Sequence, residues 1–234
     1  MVSRSRRMIA VALVTIVFLL DFGVGELPPN YTFVHEATEA PRVSFYDYIV
    51  IGGGTTGIPL AATLSANASV LLLERVCYGG RCECTFSYLG GGTSINAGFY
   101  SRGEEQFIIE AKLTDETLVE DSYQWVEKVM VFEPLLGGWQ TALRTGLVEA
   151  GVTPDNGYSY DHVIGTKTGG SIFDANGTRH TAADLLQYAN PEGMSVLLHA
   201  TVHKILFKTK AGGTRPVAYG VAFEDSFGTY IRHF

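Results

Sequence analysis

The chain has 234 residues, 46% of them hydrophobic and 18% charged, with 27 glycines against eight prolines and a net charge of −7. This balance excludes a disordered chain, because the apolar content suffices for a packed core and glycine without proline points to tight turns. It also argues against a nucleic-acid partner, since an acidic chain with no evident basic cluster in its body has little with which to neutralise phosphates.

At the N-terminus Arg4, Arg6 and Arg7 precede an uninterrupted apolar run, Met8 to Leu20, closed by Asp21. The run is shorter than the ~20 residues of a bilayer span. It matches a secretory h-region, with the small residues Gly23-Val24-Gly25 before Glu26 as a cleavage site. Residues 1–25 are therefore expected to be a signal peptide, the mature chain to be secreted, and no stable membrane span to remain; an uncleaved signal anchor is the alternative. Three sequons, at Asn30, Asn67 and Asn176, agree with a secreted glycoprotein. Residues 26–45, with Pro28, Pro29 and Pro41, read as a lead-in segment.

The pattern changes at Tyr46. Tyr46 to Ile51 is a β-rich run of the kind found in a parallel strand buried on both faces. Gly52-Gly53-Gly54-Thr55-Thr56-Gly57 follows at once, then a short apolar helix from Ile58 to Ser65, a turn at Asn67, and a second buried strand from Ser69 to Leu73. Residues 77–88 are irregular and hold all three cysteines, and Leu89 to Asn96 is a second glycine-rich turn. Residues 104–130 predict two helical pieces. Trp139, Leu143, Leu147 and Ala150 recur at helical spacing before Gly151. Gly170 to His180 reads as a hairpin whose Asn176-Gly177 suits a type I′ turn. Thr181 opens a short helix with Asp184 as its capping-box partner. Ser195 to Lys208 is mostly β, and Val217 to Glu224 with Thr229 to Phe234 forms a further hairpin around Phe227-Gly228.

The chemistry is concentrated in Gly52-x-Gly54-x-x-Gly57, which follows a strand directly and opens a helix. Gly52 permits the tight turn, Gly54 lets the backbone approach a pyrophosphate, and Gly57 lets helix and strand pack closely. The helix N-terminus supplies unpaired N–H groups and partial positive charge for phosphates. Glu74, twenty residues after Gly54 at the end of the second strand, is placed to accept hydrogen bonds from a ribose diol, and it disfavours NADP, whose 2′-phosphate would meet a carboxylate. This much predicts a dinucleotide and leaves NAD and FAD both open. Cys77, Cys82 and Cys84 have poor spacing for zinc, so a local disulfide with one cysteine left over is expected and no metal. The six histidines form no readable catalytic or metal pattern.

With these pieces in order, the chain resembles the glucose–methanol–choline (GMC) oxidoreductases, in their plant HOTHEAD-like and mandelonitrile lyase-like branch, over the N-terminal part only. The resemblance rests on YDYIVIGGGTTGIPLAATLS, VLLLER, LGGGTSINAGFYSR, GVTPDNGYSYDHVIGTKTGGSIFDANGTRHTAADLLQYANP and ATVHKILF, which run in family order. It implies FAD in an α/β, doubly wound Rossmann-like domain with β-hairpin additions over residues 46–234, incomplete at its C-terminal side. It implies that Thr55 and Thr56 face the pyrophosphate and that Glu74, with Arg75 beside it, binds the adenosine ribose. Gly92, Thr93, Asn96, Ala97, Gly98 and Phe99 would lie against pyrophosphate and flavin, and Val202 would meet the adenine through its backbone. The implied reaction passes hydride from a small-molecule alcohol to flavin; a lyase acting on cyanohydrins with a structural FAD is the alternative, and a catalytically inactive flavin-binding fragment a third. Two departures stand out. Val76 to Tyr88 replaces a longer segment and lacks the usual basic residue before the second glycine turn, and no residue matches the family's C-terminal catalytic histidine.

Overall fold

Val70-Leu71-Leu72-Leu73 has no polar side chain, so it can only be stable with both faces covered. In a computed structural model describing residues 31–75, 89–209, 212–213 and 215–234, all four of these side chains are buried. In chain order the elements are β1 (Val34–Glu36), β2 (Tyr48–Ile51), α1 (Gly57–Leu64), β3 (Val70–Leu73), β4 (Phe99–Tyr100), α2 (Glu105–Glu110), α3 (Glu116–Met130) and α4 (Gly138–Glu149). There follow β5 (Asp155–Tyr158), β6 (Thr166–Thr168), β7 (Gly170–Ser171), β8 (Met194–Leu198), β9 (Thr201–Thr209), β10 (Pro216–Glu224) and β11 (Tyr230–His233), with short 3₁₀ turns at Gly91–Ser94 and Ala182–Tyr188.

The central sheet is parallel, in the order β1-β8-β3-β2, with Ile51, Leu73 and Leu197 in one register row. Alternation along β3 splits the core in two. Val70 and Leu72 pack with Val50, Val196 and the Ile58, Ala61 and Ala62 face of α1, while Leu71 and Leu73 pack with Leu197, Val221, Phe223 and Ile231. One face of the sheet thus carries α1 and the 3₁₀ turn Ala182–Tyr188; the other carries the antiparallel sheet β11-β10-β9. The α/β, Rossmann-like expectation holds.

Two local expectations, for β2 and for the Asn176-Gly177 turn, are corrected, and two are sharpened. β2 is not buried on both faces: it is an outer strand of the sheet, and Tyr48 and Ile51 are 50% and 46% exposed. The lead-in contains β1, which pairs in parallel with β8 and so joins the sheet. The stretch from Ser195 to Lys208 is two strands in two sheets, broken where His199 takes a positive φ of 54°. The Asn176-Gly177 turn is not type I′, because only Gly177 has positive φ. Its loop, Asp174 to Thr178, is instead closed from inside. Asp174 Oδ1 accepts the N–H groups of Asn176 and Thr178, at 2.9 and 2.8 Å. Asp225 does the same for Phe227 and Thr229, at 2.8 and 2.9 Å. An Asp-x-x-Gly-Thr loop therefore occurs twice, and an aspartate satisfying its own backbone competes well with the two-residue turn.

The expected capping box at Thr181 and Asp184 is present, as are the two helices within 104–130 and the helix before Gly151. Among the described residues no helix is long and apolar enough to cross a membrane. The expected signal peptide, the sequon residue Asn30 and the three cysteines lie outside the described residues.

Candidate dinucleotide site

The carboxyl ends of β2 and β3 carry the groups singled out by sequence. Gly52 turns the chain with φ 98°, and its N–H donates to Leu73 O at 2.8 Å. A Cβ on Gly57 would lie 1.9 Å from Gly52 O, backbone against backbone, so only glycine lets α1 start this close to the strand. Thr56 occupies the N-cap without a side-chain cap hydrogen bond, and Thr55 and Thr56 are exposed at the start of α1, where Ile58 N–H donates back to Gly54 O at 3.1 Å and Pro59 has no N–H.

Glu74 is buried, and its carboxylate accepts the Gly53 N–H. Burial pushes this carboxyl above the ordinary carboxylate range, while the Gly53 N–H and the Arg75 guanidinium pull it back. The backbone around it is fixed on both sides: Glu74 N–H donates to Leu197 O at 2.9 Å, and Glu74 O accepts from Ala200 N–H at 2.9 Å. The second contact brings Ala200 and the start of β9 beside the acid. Val202 pairs with Phe223 and packs its side chain on the second core.

The second glycine turn sits directly on the first. Gly90 N–H donates to Gly53 O at 2.8 Å, and a Cβ on Gly91 would lie 2.8 Å from Gly54 Cα. Its residue types alone give this turn no fixed place; the structure brings it against the motif. Thr93 Oγ1 is spent inside the protein, donating to Gly90 O at 2.6 Å and accepting Ala182 N–H at 2.9 Å. Gly92 is exposed with open space where a Cβ would be, and Ala97 is exposed. Gly98 is buried under Phe173, and Phe99 next to it is 87% exposed.

Sequence reasoning missed the residue that holds this loop. Arg179 Nη1 donates to Thr93 O and Asn96 Oδ1, both at 3.1 Å, and Nη2 to Asn96 O at 2.9 Å, while its guanidinium lies 4.4 Å over the Phe173 ring. Asn96 Oδ1 also accepts Gly98 N–H at 2.9 Å. No local pattern announces a contact across more than eighty residues. Five histidines are engaged elsewhere: His35, His180, His199 and His203 with Glu39, Asp184, Glu36 and Glu224, and His233 with Pro41 O.

A family model for GMC oxidoreductases matches residues 46–234. The HOTHEAD protein of Arabidopsis thaliana is 46% identical over 244 residues, a match covering 86% of this chain and 41% of that one. (R)-mandelonitrile lyase 3 of Prunus serotina is 40% identical, covering 85% and 40% respectively. Formate oxidase of Aspergillus oryzae superposes with a TM-score of 0.62 at 15% identity, over 83% of this chain and 44% of that structure, and it supports the fold. The chain thus spans about two fifths of the length of the relatives it matches. A glycine-turn pair of this kind, inside a sequence match that runs through nearly all the described residues, leaves one conclusion: the chain belongs to the GMC oxidoreductase family.

Proposed function

We propose that this chain is the nucleotide-holding part of an FAD-dependent oxidoreductase acting on CH–OH donors. The observation that carries the reading is the docking of Gly90 and Gly91 on Gly53 and Gly54 beside buried Glu74. Two backbones without side chains meet at the carboxyl edge of a parallel sheet, where a pyrophosphate needs close backbone approach. In this reading Gly52, Gly54, Thr55, Thr56 and Gly57 hold the phosphates with the first turn of α1. Glu74 and Arg75 hold the ribose, and the Val202 backbone the adenine. The segment Gly92, Thr93, Asn96, Ala97, Gly98 and Phe99 lies toward the flavin, with exposed Phe99 as its apolar contact. FAD supplies the hydride acceptor; the protein residues bind, orient and keep water from the ring.

Purified protein is expected to show the oxidised-flavin bands near ~370 and ~450 nm. A folded, colourless product that takes up no added FAD would overturn the cofactor assignment. The mandelonitrile lyase among the relatives favours a second reading, cyanohydrin cleavage with FAD in a structural role. Flavin bleaching by an alcohol without oxygen supports the first reading, and cyanide release from mandelonitrile the second. For this polypeptide by itself we propose flavin binding without turnover, because five of its six histidines are tied to carboxylates or a carbonyl and no residue matches the family's C-terminal catalytic histidine; activity in either assay would refute that. Secretion after removal of residues 1–25, and glycans at Asn67 or Asn176, belong to the same proposal and are read from the N-terminal sequence and mass of the secreted product.

A further inference from the structure

Half-buried Arg102 and Arg144 each rest on a carboxylate, Glu127 and Asp155, at 2.7 Å. Arg179 is half-buried as well, but its three hydrogen bonds go to uncharged oxygens: Thr93 O, Asn96 Oδ1 and Asn96 O. Among the described residues it makes no ion pair, and its guanidinium is set against the Phe173 ring. A neutral donor would hold the loop without the cost of drawing a charge partly out of water. In a chain of net charge −7 this leaves a positive charge at the second glycine turn with no negative partner among the described residues.

The arginine also decides which way Asn96 faces. Asn96 Oδ1 accepts twice, from Arg179 Nη1 at 3.1 Å and from Gly98 N–H at 2.9 Å. Exchanging the oxygen and nitrogen of that amide would set donors against donors, so its orientation is fixed. Asn96 is exposed, and its Nδ2 donors are left for a partner outside the described residues. The carbonyls of Thr93 and Asn96 are likewise gathered on the guanidinium. What the loop keeps to offer is amide donors backed by a positive charge, which suits an acceptor that becomes more negative. Reduction of flavin by two electrons with one proton adds one negative charge to the ring. We propose that Arg179 is a positioning residue for the flavin, acting through Asn96 to set amide donors and positive charge beside the ring and so favour its reduced form. The proposal rests on the FAD reading, in which Asn96 lies toward the flavin.

The test uses the whole chain loaded with FAD and reduced with dithionite beside a reference dye, which reads the potential of the bound flavin. Arg179→Gln keeps a donor and removes the charge. It is expected to move the equilibrium about tenfold toward the oxidised flavin, which is about 30 mV for two electrons. Arg179→Lys keeps the charge without the planar fork and should fall between parent and glutamine variant. Asn96→Ala should shift the potential in the same direction, and the double variant by less than the sum, because one residue acts through the other. ADP lacks the flavin and draws only on Gly52 to Gly57 and Glu74, so its affinity by calorimetry should be the same in every variant; this separates positioning from a folding defect. An unchanged potential in Arg179→Gln would overturn the proposal, as would a loss of ADP affinity alongside the shift, which would reduce Arg179 to a structural role. A parent chain that binds ADP and takes up no FAD would overturn the FAD reading itself, and this proposal with it.

Discussion

Helices α1 and α4 obey the same sequence rule and reach opposite ends. The eight residues of α1 bury Ile58, Ala61 and Ala62 completely against the parallel sheet. The twelve residues of α4 carry an apolar stripe at equally regular spacing and bury none of it; Trp139 is 74% exposed, and Leu143 and Leu147 are exposed too. The contrast extends to their surroundings. The sheet region has two cores, whereas residues 101–168 expose Phe107, Ile109, Leu113, Leu118, Leu135 and Ile164, with a groove of about 780 Å³ between α2 and α3. That segment is anchored at the end of α3, where Met130 and Val131 join the core and Trp125 stacks on Tyr188 at 4.5 Å, and by a polar cluster at its start. Arg102 makes hydrogen bonds to Glu127 at 2.7 and 2.9 Å and to Glu120 at 2.9 and 3.2 Å, and Tyr100 OH donates to Glu127 at 2.9 Å. Helical periodicity shows that a face wants covering. It does not show where the cover comes from, and among the described residues α4 has none.

This contrast can be broken or sharpened by substitution. The largest effect is expected at Gly57→Val, where backbone meets backbone and nothing can yield; the loss should exceed ~3 kcal/mol and abolish flavin uptake along with the urea transition. Next comes Leu72→Ala, at a fully buried β3 position, costing ~2–5 kcal/mol by denaturant midpoint. A value near zero would mean that the sheet is not the stable part of the molecule.

A smaller effect is tied to pH. His233 is fully buried between Tyr46 and Phe223, with Nε2 on Pro41 O at 2.8 Å. Burial lowers its pKa below 6.5, and the Pro41 bond only partly offsets this. As pH falls below about 6.5 the unfolded chain takes the proton first, so stability should be level above that pH and decline beneath it. Thermal midpoints across that window should show the slope in the parent and not in His233→Phe. The smallest effect belongs to Trp139→Ser, expected within ~0.5 kcal/mol but with reduced binding of an apolar dye. A large stability loss there would show that α4 is packed after all.

The order strand, glycine turn, helix, strand, acid was legible because every part is local and each residue type has one physical reason to be there. Gly52, Gly57 and Glu74 occupy the positions their spacing implies. What could not be read was long-range. Nothing near Val34 says that β1 pairs with Val196, or that Ser195 to Lys208 divides between two sheets at His199. Arg179 was invisible because its partners, Thr93 and Asn96, lie far back in the chain. The exposed edge of β2 was misjudged for a related reason, since apolar composition reports a need for burial and not its fulfilment.

The contact between Gly54 and Gly91 has one more consequence. In most packed pairs a larger side chain on one partner can be answered by a smaller one on the other. Here each partner is already the smallest residue there is, and the clash from a Cβ at Gly91 would fall on the Gly54 Cα itself. The constraint is one-sided, since a Cβ on Gly54 would sit 3.9 Å from Gly91 Cα in ordinary contact; in a library that varies both positions, Gly91 should stay fixed while Gly54 admits alanine.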